Sequence, residues 1–408
     1  MKQHPDLFQA PGPARFVRET LDDIDSSRNV IALLPPGLAL RSISNAVQSA
    51  AWLRHWDVIA AEDDSSVRPE EVFLSAIGLS VEPSAEPNRL LRVCSVKGLP
   101  KLVIVDVGRA AAQRQVEWVQ FVSDWGRISR LVEPSQVYRP QVCLIIAASV
   151  GAEYAYNDVS VILRPWWGLV DARDVALLVS AESAVPIEWS TALLASLAAG
   201  DLELAHHLTN SLATEKDLLL ALSAFRRDEW SGEVMDASAR WIREHGTYTG
   251  DTTPRYDPPH DGLRLWAVGA LQLFPDWGIE VHSAILQRLG KDHELRHRLW
   301  RGQVSVVLPA LNALRLDLCT ALSSRHGKKW PSYVAPDDRV DSDAAEADPL
   351  NCGFGHLEAL LAKAPQLRNE KQWLGAVRRC RQVRNELAHY RPVSLEDYRF
   401  IVKQRFVI

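Results

Sequence analysis

Cysteine is scarce in this chain, and the spacing of its cysteines does not predict a metal site or a redox site. No two of the five lie at the separation of a zinc-ligand pair or a redox motif: Cys94, Cys143, Cys319, Cys352 and Cys380. Three of them lie in apolar strand-like or helix-like runs, so we predict that these are small core residues. The pattern argues against a metal or redox site, and a reducing cytoplasm is the simplest compartment.

Long hydrophobic runs are also missing. Asp, Arg or Pro interrupts each apolar stretch before it reaches membrane-spanning length, and Met1 to Asp6 lack the apolar segment of a signal peptide. Hydrophobic residues make up 47% of the chain and its formal net charge is −5, as in globular proteins. A length of 408 residues predicts two or three domains, and we expect a cytoplasmic protein without a membrane partner.

The first part of the chain alternates strand-like and helix-like segments. The strand candidates are short apolar runs at 30–34, 56–61, 101–106, 142–148 and 159–163. Continuous apolar strands that alternate with helices predict a parallel sheet covered on both faces. We therefore assign residues 1–168 to an α/β domain.

The turn after the first strand has the register of a phosphate-binding P-loop but lacks its glycines. That loop reads Gly-x4-Gly-Lys-Ser/Thr, and its backbone N–H groups wrap a phosphate. Arg41 and Ser42 match the cation and the hydroxyl, whereas Pro35 and Leu40 replace the glycines. Proline offers no N–H, and leucine resists the φ values of the loop. The segment resembles an eroded P-loop. An ordinary strand-to-helix turn is the alternative.

Asp106 ends the third apolar run. This run resembles the Walker B strand of P-loop ATPases, in which the Asp helps to hold Mg²⁺, but Val107 replaces the glutamate that commonly follows. A turn residue at the strand end is the alternative. Taken together, residues 1–168 resemble a degenerate core of the AAA or STAND type. The resemblance implies weak binding of ATP or another nucleotide through Arg41, Ser42 and Asp106, with feeble or absent hydrolysis.

Helical patterns fill residues 169–246, which suits a lid or a winged-helix-like subdomain. The adjacent His206 and His207 have no acidic or Cys partner at ligand spacing, so a solvated or packed pair is favoured over a metal site. Residues 247–262 are rich in Thr, Pro, Asp and Gly, and we predict that they form a linker.

Residues 263–408 are predicted to form an all-helical domain. We expect helices at 263–273, 280–289, 293–322, 355–363 and 371–390, with an interruption or kink at Pro309. A Pro/Asp/Ala-rich segment at 332–349 has little apolar content and is expected to be an exposed loop.

The last of these helices carries Arg384, Asn385 and His389. On a helix Asn385 and His389 share a face, with Arg381 one turn earlier, and the long stem of Arg384 can swing towards the imidazole. Arg carries a permanent charge on a planar fork that fits phosphate, and His is the side chain that titrates near neutral pH. Such a set needs no metal to act on a phosphodiester. The alternatives are a chance occurrence and a histidine that faces the helix dipole just before Pro392.

The stretch 381–394 resembles the last signature segment of HEPN domains, which reads Arg, a polar residue, a few more residues and then His. Asn385 fills the polar position, and Ala388 before the histidine is also typical. The resemblance extends from about residue 262 to the end of the chain. It implies an all-helical and usually dimeric domain that is commonly a metal-independent ribonuclease. His389 would then transfer protons, Arg384 would stabilise charge on the phosphate, and Asn385 would orient the substrate.

The surroundings of the motif are basic although the whole chain is acidic. Between residues 363 and 405, Lys and Arg outnumber Asp and Glu, which favours a polyanion such as RNA. Arg378, Arg381 and Tyr390 are the substrate-binding candidates, and a solvated basic helix face is the alternative. Tyr390, Trp373 and Tyr398 could stack on bases or belong to the core.

The first functional hypothesis is an endoribonuclease effector of a bacterial defence or toxin-type system. It would be a homodimer through the C-terminal domain, would need no cofactor for cleavage, and would be regulated by the degenerate nucleotide-binding domain. The second hypothesis is a non-catalytic scaffold that assembles with partner proteins in a phage-defence complex. The third is a receptor that binds a nucleotide without hydrolysing it.

Overall fold

The computed structural model describes residues 8, 10–36, 40–79, 89–94, 96–131, 139–151, 159–179, 185–246, 258–274, 278–334 and 347–406. The chain forms two compact units. The sheet unit comprises Met1–Ala181, Ala198–His207 and Phe225–Leu289, and the helical unit comprises Glu182–Leu197, Leu208–Ala224 and Gly290–Ile408.

A five-stranded parallel sheet is the centre of the sheet unit. Its strands are β1 (Asn29–Leu34), β2 (Val58–Ala61), β3 (Leu102–Asp106), β4 (Gln141–Ala147) and β5 (Val161–Pro165), in the order β2-β3-β4-β1-β5. Every residue of β1 is buried, because β4 and β5 pair with its two edges and helices cover its faces. The predicted parallel α/β sheet is confirmed.

Helices connect and cover these strands: α1 (Pro11–Asp25), α2 (Leu40–Leu53), α3 (Pro69–Ala76), α4 (Arg89–Val93), α5 (Ala112–Arg130), α6 (Ala148–Gly151) and α7 (Ala172–Val179). The longest of them, α5, buries Trp118 and Trp125, and the Trp125 indole N–H donates to the Pro140 carbonyl oxygen at 3.0 Å. That bond satisfies the polar atom of a large side chain inside the core.

The sheet unit also contains α9 (Leu202–Leu208), α11 (Gly232–His245), α12 (Leu263–Ala267) and α13 (Ser283–Arg288). Between α12 and α13 lies an antiparallel hairpin of β6 (Leu271–Phe274) and β7 (Gly278–Val281), in which Leu271 faces Val281.

The hairpin corrects the prediction of helices at 263–273 and 280–289. Pro275 cannot continue a helix, and the sequence Pro-Asp-Trp-Gly at 275–278 has the residues of a turn. Moreover, residues 263–289 belong to the sheet unit, whereas the C-terminal domain was predicted to begin at residue 263. Most of the predicted linker, residues 247–257, lies outside the described part of the chain.

The helical unit is built around α14 (Asp292–His326). The other helices of this unit are α8 (Ile187–Ala198), α10 (Glu215–Ala224), Phe354–Lys363, Leu374–Ala388 and Leu395–Lys403. Short 3₁₀ segments at Thr209–Ser211, Trp330–Tyr333, Pro349–Asn351 and Pro365–Trp373 accompany them. Among the described residues this unit is helical, but a HEPN bundle stays a prediction.

Two features of α14 explain its central position. It runs without an interruption through Pro309, where an interruption or a kink was expected, and Pro309 is exposed. At Gly302 a Cβ atom would lie 2.7 Å from the Ala192 carbonyl oxygen, so only glycine permits this approach of α8. By length and composition alone α14 could cross a membrane, and 33% of its most apolar stretch is buried inside the protein. The same properties suit the central helix of a bundle, which is its place here.

All five cysteines are free and buried. Burial raises the pKa of the Cys143 and Cys380 thiols to about 12 and that of the Cys319 thiol to about 11. These thiols are therefore protonated at neutral pH and are not nucleophiles, since the thiolate is the reactive form.

Candidate functional site

The helix Leu374–Ala388, called the motif helix below, positions the predicted catalytic residues. Its buried side chains follow helical spacing, at Val377, Cys380, Val383 and Leu387. Arg384 is exposed and Asn385 is half-buried. The apolar stripe therefore fixes which polar groups face solvent.

The motif helix ends at Ala388 in a Schellman motif. His389 is the C-cap, and Tyr390 has a left-handed backbone with φ 58°. The Tyr390 N–H donates to the Leu387 carbonyl oxygen at 3.2 Å, and the Arg391 N–H donates to the Glu386 carbonyl oxygen at 2.9 Å. The alternative of a histidine at the helix terminus therefore describes the position of His389. Glycine is the usual residue at the place of Tyr390, so a tyrosine there carries backbone strain.

Trp300 of α14 stabilises the C-terminal end of the motif helix. Its indole Nε1–H donates to the Leu387 carbonyl oxygen at 2.7 Å, and its ring lies 4.7 Å from the Tyr390 ring. The carbonyls of the last helical turn have no partner within the helix, so the Trp300 donor stabilises the terminus. His389 is exposed next to this anchored turn.

A cleft of about 460 Å³ brings several predicted residues together. Arg381, Arg384 and Asn385 of the motif helix line it on one side. Asn312 and Arg315 of α14 line it as well, with Leu308, Leu311, Gly353, Phe354 and Gly355 completing its described wall. His389 is not among the described residues that line the cleft. The structure thus gathers the amide and the cations in one place, with the imidazole at the helix end.

Arg315 is a cleft residue that sequence reasoning did not select as a site. Its Nη1 donates to the Cys352 carbonyl oxygen at 3.2 Å and to the Leu350 carbonyl oxygen, while Nη2 donates to Asn312 Oδ1 at 2.9 Å. These bonds hold the guanidinium in a fixed orientation beside the cleft. The only signal in the sequence was its position on the polar side of a long helix.

Most of the basic residues around the motif are paired with carboxylates. Glu358 contacts Arg378 at 3.0 Å and Arg381 at 2.8 Å, and the hydrogen bond from Arg381 is the main cause that lowers the pKa of Glu358. Arg379 contacts Asp397 and Glu396, and Arg391 contacts Glu386.

Arg384 is different from these four arginines. Within the described part of the chain it has no carboxylate at ion-pair distance, and its Nη1 donates to the Asn385 amide oxygen at 3.4 Å. A guanidinium that is exposed and lacks an anionic partner is the group most available to a phosphate.

The three aromatic residues predicted to stack on bases differ in how far they are buried. Tyr390 is 64% exposed, whereas Trp373 and Tyr398 are buried. Trp373 packs edge-on against Phe406, and Tyr398 stacks on Trp189 with ring centroids 5.2 Å apart. Only Tyr390 of the three is therefore available to a ligand in this structure.

The predicted nucleotide-binding residues are partly outside the described structure. The backbone of Arg41 and Ser42 lies in α2, but their side chains and residues 37–39 are not described. Asp106 lies at the end of β3, where its Oδ1 accepts the Gly108 N–H at 3.2 Å. This is the geometry of a turn residue at a strand end, which was the alternative to a Mg²⁺ ligand.

A buried arginine that the sequence did not reveal contacts the first residues of the eroded loop. Arg227 Nη1 donates to the Pro36 carbonyl oxygen at 3.0 Å, and its Nη2 contacts Asp201 at 2.7 Å. Gly269 makes room for this guanidinium, since a Cβ there would lie 2.4 Å from Nη1. Arg227 and Asp201 are almost fully buried, with side chains 4% and 3% exposed.

His206 and His207 lie in the last turn of α9, and the His207 ring packs 5.5 Å from Phe225. Within the described residues, no group of three or more His, Cys, Asp or Glu side chains is arranged to hold a metal ion.

No protein-family model matches the sequence, and no curated protein matches it. Among solved structures, the RuvB Holliday junction branch migration motor of Thermotoga maritima matches with a TM-score of 0.33 and 8% identity, over 68% of this chain and 94% of that chain. Two single-substitution variants of the same protein match with TM-scores of 0.33 and 0.34 and identities of 10% and 9%, over 70% of this chain and 98% of theirs. Scores this low carry no argument about function.

Proposed function

We propose that this protein is a metal-independent endoribonuclease of the HEPN type. The observation that supports the proposal most directly is the position of Arg384. It is exposed, it lacks a carboxylate partner among the described residues, and it lies with Asn385 in a cleft that also contains Arg315 and Arg381. Several guanidinium groups around one cleft suit a phosphodiester backbone, which carries one negative charge per nucleotide.

The proposed reaction uses the substrate's own 2′-hydroxyl. Its oxygen attacks the adjacent phosphorus while its proton passes to a base, and the bond from phosphorus to the 5′-oxygen breaks. The leaving oxygen takes a proton from an acid, so the products carry a 2′,3′-cyclic phosphate and a 5′-hydroxyl. Arg384 stabilises the charge that develops on the phosphate, and Asn385 orients it.

His389 is the proposed proton-transfer group. The described cleft walls contain no His, Asp or Glu, so the cleft alone can bind phosphate but cannot move protons. One imidazole also cannot readily serve as base and acid in the same step, so we propose that a second copy of the chain completes the site. We place the contact with this second copy at Leu308, an exposed leucine that borders the cleft on α14.

The P-loop-like sheet unit is proposed to regulate this activity, with a nucleotide bound weakly rather than hydrolysed. This layout suits an effector of a bacterial defence or toxin-type system that acts in the cytoplasm. Arg378, Arg381 and Tyr390 remain the proposed RNA contacts, although Arg378 and Arg381 must exchange Glu358 for phosphate.

One observation favours a second candidate, a non-catalytic scaffold in a multi-protein defence complex. Four of the five arginines near the motif already have carboxylate partners, which reduces the attraction of the surface for RNA. A scaffold would keep Arg384 and His389 for contacts with partner proteins.

An RNA cleavage assay separates the two candidates. Purified protein should cleave total RNA in the presence of EDTA and leave 2′,3′-cyclic phosphate ends. His389→Ala should abolish cleavage, and His293→Ala, which removes another exposed histidine of the same unit, should not. Cleavage that requires a divalent metal, or that survives His389→Ala, would refute the proposed site.

A further inference from the structure

Three rings cluster at the end of the motif helix, and this cluster is called the aromatic platform below. The His297 and Trp300 rings are stacked with centroids 5.2 Å apart and an interplanar angle of 22°. The Tyr390 ring is tilted to both of them, by 52° to Trp300 at 4.7 Å and by 39° to His297 at 6.2 Å. His297 and Trp300 are half-buried, and Tyr390 is 64% exposed.

The backbone at Tyr390 holds its ring in the platform at a cost in stability. Its φ of 58° is a left-handed conformation that glycine adopts freely and a tyrosine does not. Glycine would end the helix at least as well, so ending the helix does not explain an aromatic side chain here. The remaining reason for a tyrosine at this position is its ring, which contacts Trp300.

The polar atom of the central ring is already used. Trp300 Nε1–H donates to the Leu387 carbonyl oxygen, so the indole offers a ligand only its ring surface. The platform can therefore stack on a flat group but contributes no directional donor from Trp300. Stacking of this kind tolerates any base, because every nucleobase has a π-face.

The small area of the aromatic platform indicates which kind of ligand could bind to it. A stable protein interface buries about 800 Å² on each partner. Of the large apolar side chains near the helix end, only Tyr390 is exposed in the described structure, so three rings provide too small a surface for a protein. They match one unpaired base. Arg384, the arginine without a carboxylate partner, precedes this turn on the same helix and can contact a neighbouring phosphate.

We propose that His297, Trp300 and Tyr390 form a stacking subsite for one unpaired base of a single-stranded RNA, next to the scissile phosphate. This inference deepens the proposed ribonuclease function and rests on it for the identity of the strand. It adds two residues of α14 to the site and specifies a substrate that is single-stranded at the cleavage position.

The test measures binding without cleavage. A short fluorescent oligothymidylate lacks the 2′-hydroxyl, so it cannot be cut by the proposed mechanism, and its affinity for the full chain is read by anisotropy. Tyr390→Gly should weaken binding about tenfold to a hundredfold, the range for the loss of one stacked base. Tyr390→Phe should bind within about twofold of the parent, because the ring is kept. Trp52→Ala, which removes an aromatic side chain that is 57% exposed in the sheet unit, should have no effect.

Two further measurements make the test decisive. An abasic oligomer of the same length should bind to the parent as weakly as oligothymidylate binds to Tyr390→Gly. His297→Leu should also weaken binding of the oligothymidylate, since it removes the ring that stacks on Trp300. Equal affinity of the parent and Tyr390→Gly, or equal affinity for the abasic strand, overturns the platform and leaves a protein partner as the occupant to examine.

Failure of the platform and failure of the proposed function are distinguishable. If oligothymidylate binding depends on Tyr390 but RNA is never cleaved, the stacking subsite stands and the nuclease does not. If RNA is cleaved through His389 while Tyr390→Gly cuts and binds like the parent, the nuclease stands and the platform is wrong.

Discussion

Glu358 accepts a hydrogen bond at 2.8 Å from Arg381, an exposed residue of the motif helix. The same carboxylate accepts one from Arg378 at 3.0 Å. A single acidic residue therefore neutralises two of the arginines that were expected to bind RNA. The hydrogen bond from Arg381 is the first cause that holds the pKa of Glu358 below its usual value, so the carboxylate remains ionised in mildly acidic solution.

Glu358→Gln should strengthen RNA binding severalfold. The substitution releases two guanidinium groups, and each additional phosphate contact raises affinity and steepens its dependence on salt. Anisotropy titrations with a labelled oligonucleotide at several salt concentrations measure both effects. The matched control is Glu396→Gln, whose carboxylate is 85% exposed and pairs with Arg379 alone in the described structure. Unchanged affinity and salt dependence in Glu358→Gln would show that this pair does not limit binding.

Arg384→Ala should abolish cleavage, with a loss of about 100-fold or more, because it removes the group that stabilises the phosphate charge. Arg384→Lys should recover only part of the rate, since Lys keeps the charge but not the planar fork. The control is Arg391→Ala, which removes a paired and exposed arginine of the same segment. Initial rates on a defined RNA provide the comparison. Equal losses in Arg384→Ala and Arg391→Ala would indicate a diffuse charge effect.

The sequence predicted the sheet unit better than the surroundings of the motif. The five parallel strands were recognised because each is a continuous apolar run that carries its own signal. The hairpin of β6 and β7 was missed because its strands are short, and each is defined by its partner rather than by its own pattern.

The candidate site shows the same limit. Arg384, Asn385 and His389 were found as a local pattern, and residues close in sequence share helix faces. Arg315 and Trp300 could not be found in this way, because α14 brings them to the motif helix from 69 and 87 positions earlier in the chain. The sequence also does not show whether an arginine is paired, since Glu358 lies 20 residues from Arg378 and 23 residues from Arg381.

The full chain should be a dimer, and Leu308→Glu should convert it to a monomer and abolish cleavage. Leu308 is an exposed apolar residue beside the cleft, so a charge there opposes burial against a second copy. Light scattering on the full chain is the measurement, because residues 263–289 pack with the sheet unit and a fragment from residue 263 would expose them. Leu220→Glu, at a leucine 67% exposed on α10, is the control. A monomeric parent that still cleaves RNA would contradict the composite site.

ATP turnover by the sheet unit should be absent or feeble. Pro35 and Leu40 replace the loop glycines, Val107 replaces the water-activating acid, and Asp106 accepts the Gly108 N–H at its strand end. Phosphate release with Mg²⁺ and ATP should therefore match a buffer control. Steady release that disappears in Asp106→Ala would show that the unit is an active ATPase. Weak binding without release would agree with a regulatory role.

Asp201→Asn should destabilise the sheet unit by about 3–5 kcal/mol, because it leaves the buried charge of Arg227 without its closest partner. Asp201 also contacts His282 Nε2 at 3.0 Å, and since His282 Nδ1 accepts the Ala284 N–H, Nε2 carries the proton and donates it. Burial raises the pKa of Asp201, but the His282 hydrogen bond and the Arg227 charge outweigh it, so the pKa is lowered.

The lowered pKa of Asp201 in the folded state determines the pH range over which this carboxylate stabilises the protein. The stabilisation is fully present above the unfolded value of about 3.9 and is lost as the pH falls through the lower folded value. The difference between the parent and Asp201→Asn should therefore be constant near neutral pH and shrink below about pH 4. Urea unfolding followed by circular dichroism at several pH values measures it. Glu203→Gln is the control, since that carboxylate is 54% exposed and should contribute at most about 1 kcal/mol. An Asp201→Asn protein as stable as its parent at neutral pH would show that other groups compensate the Arg227 charge.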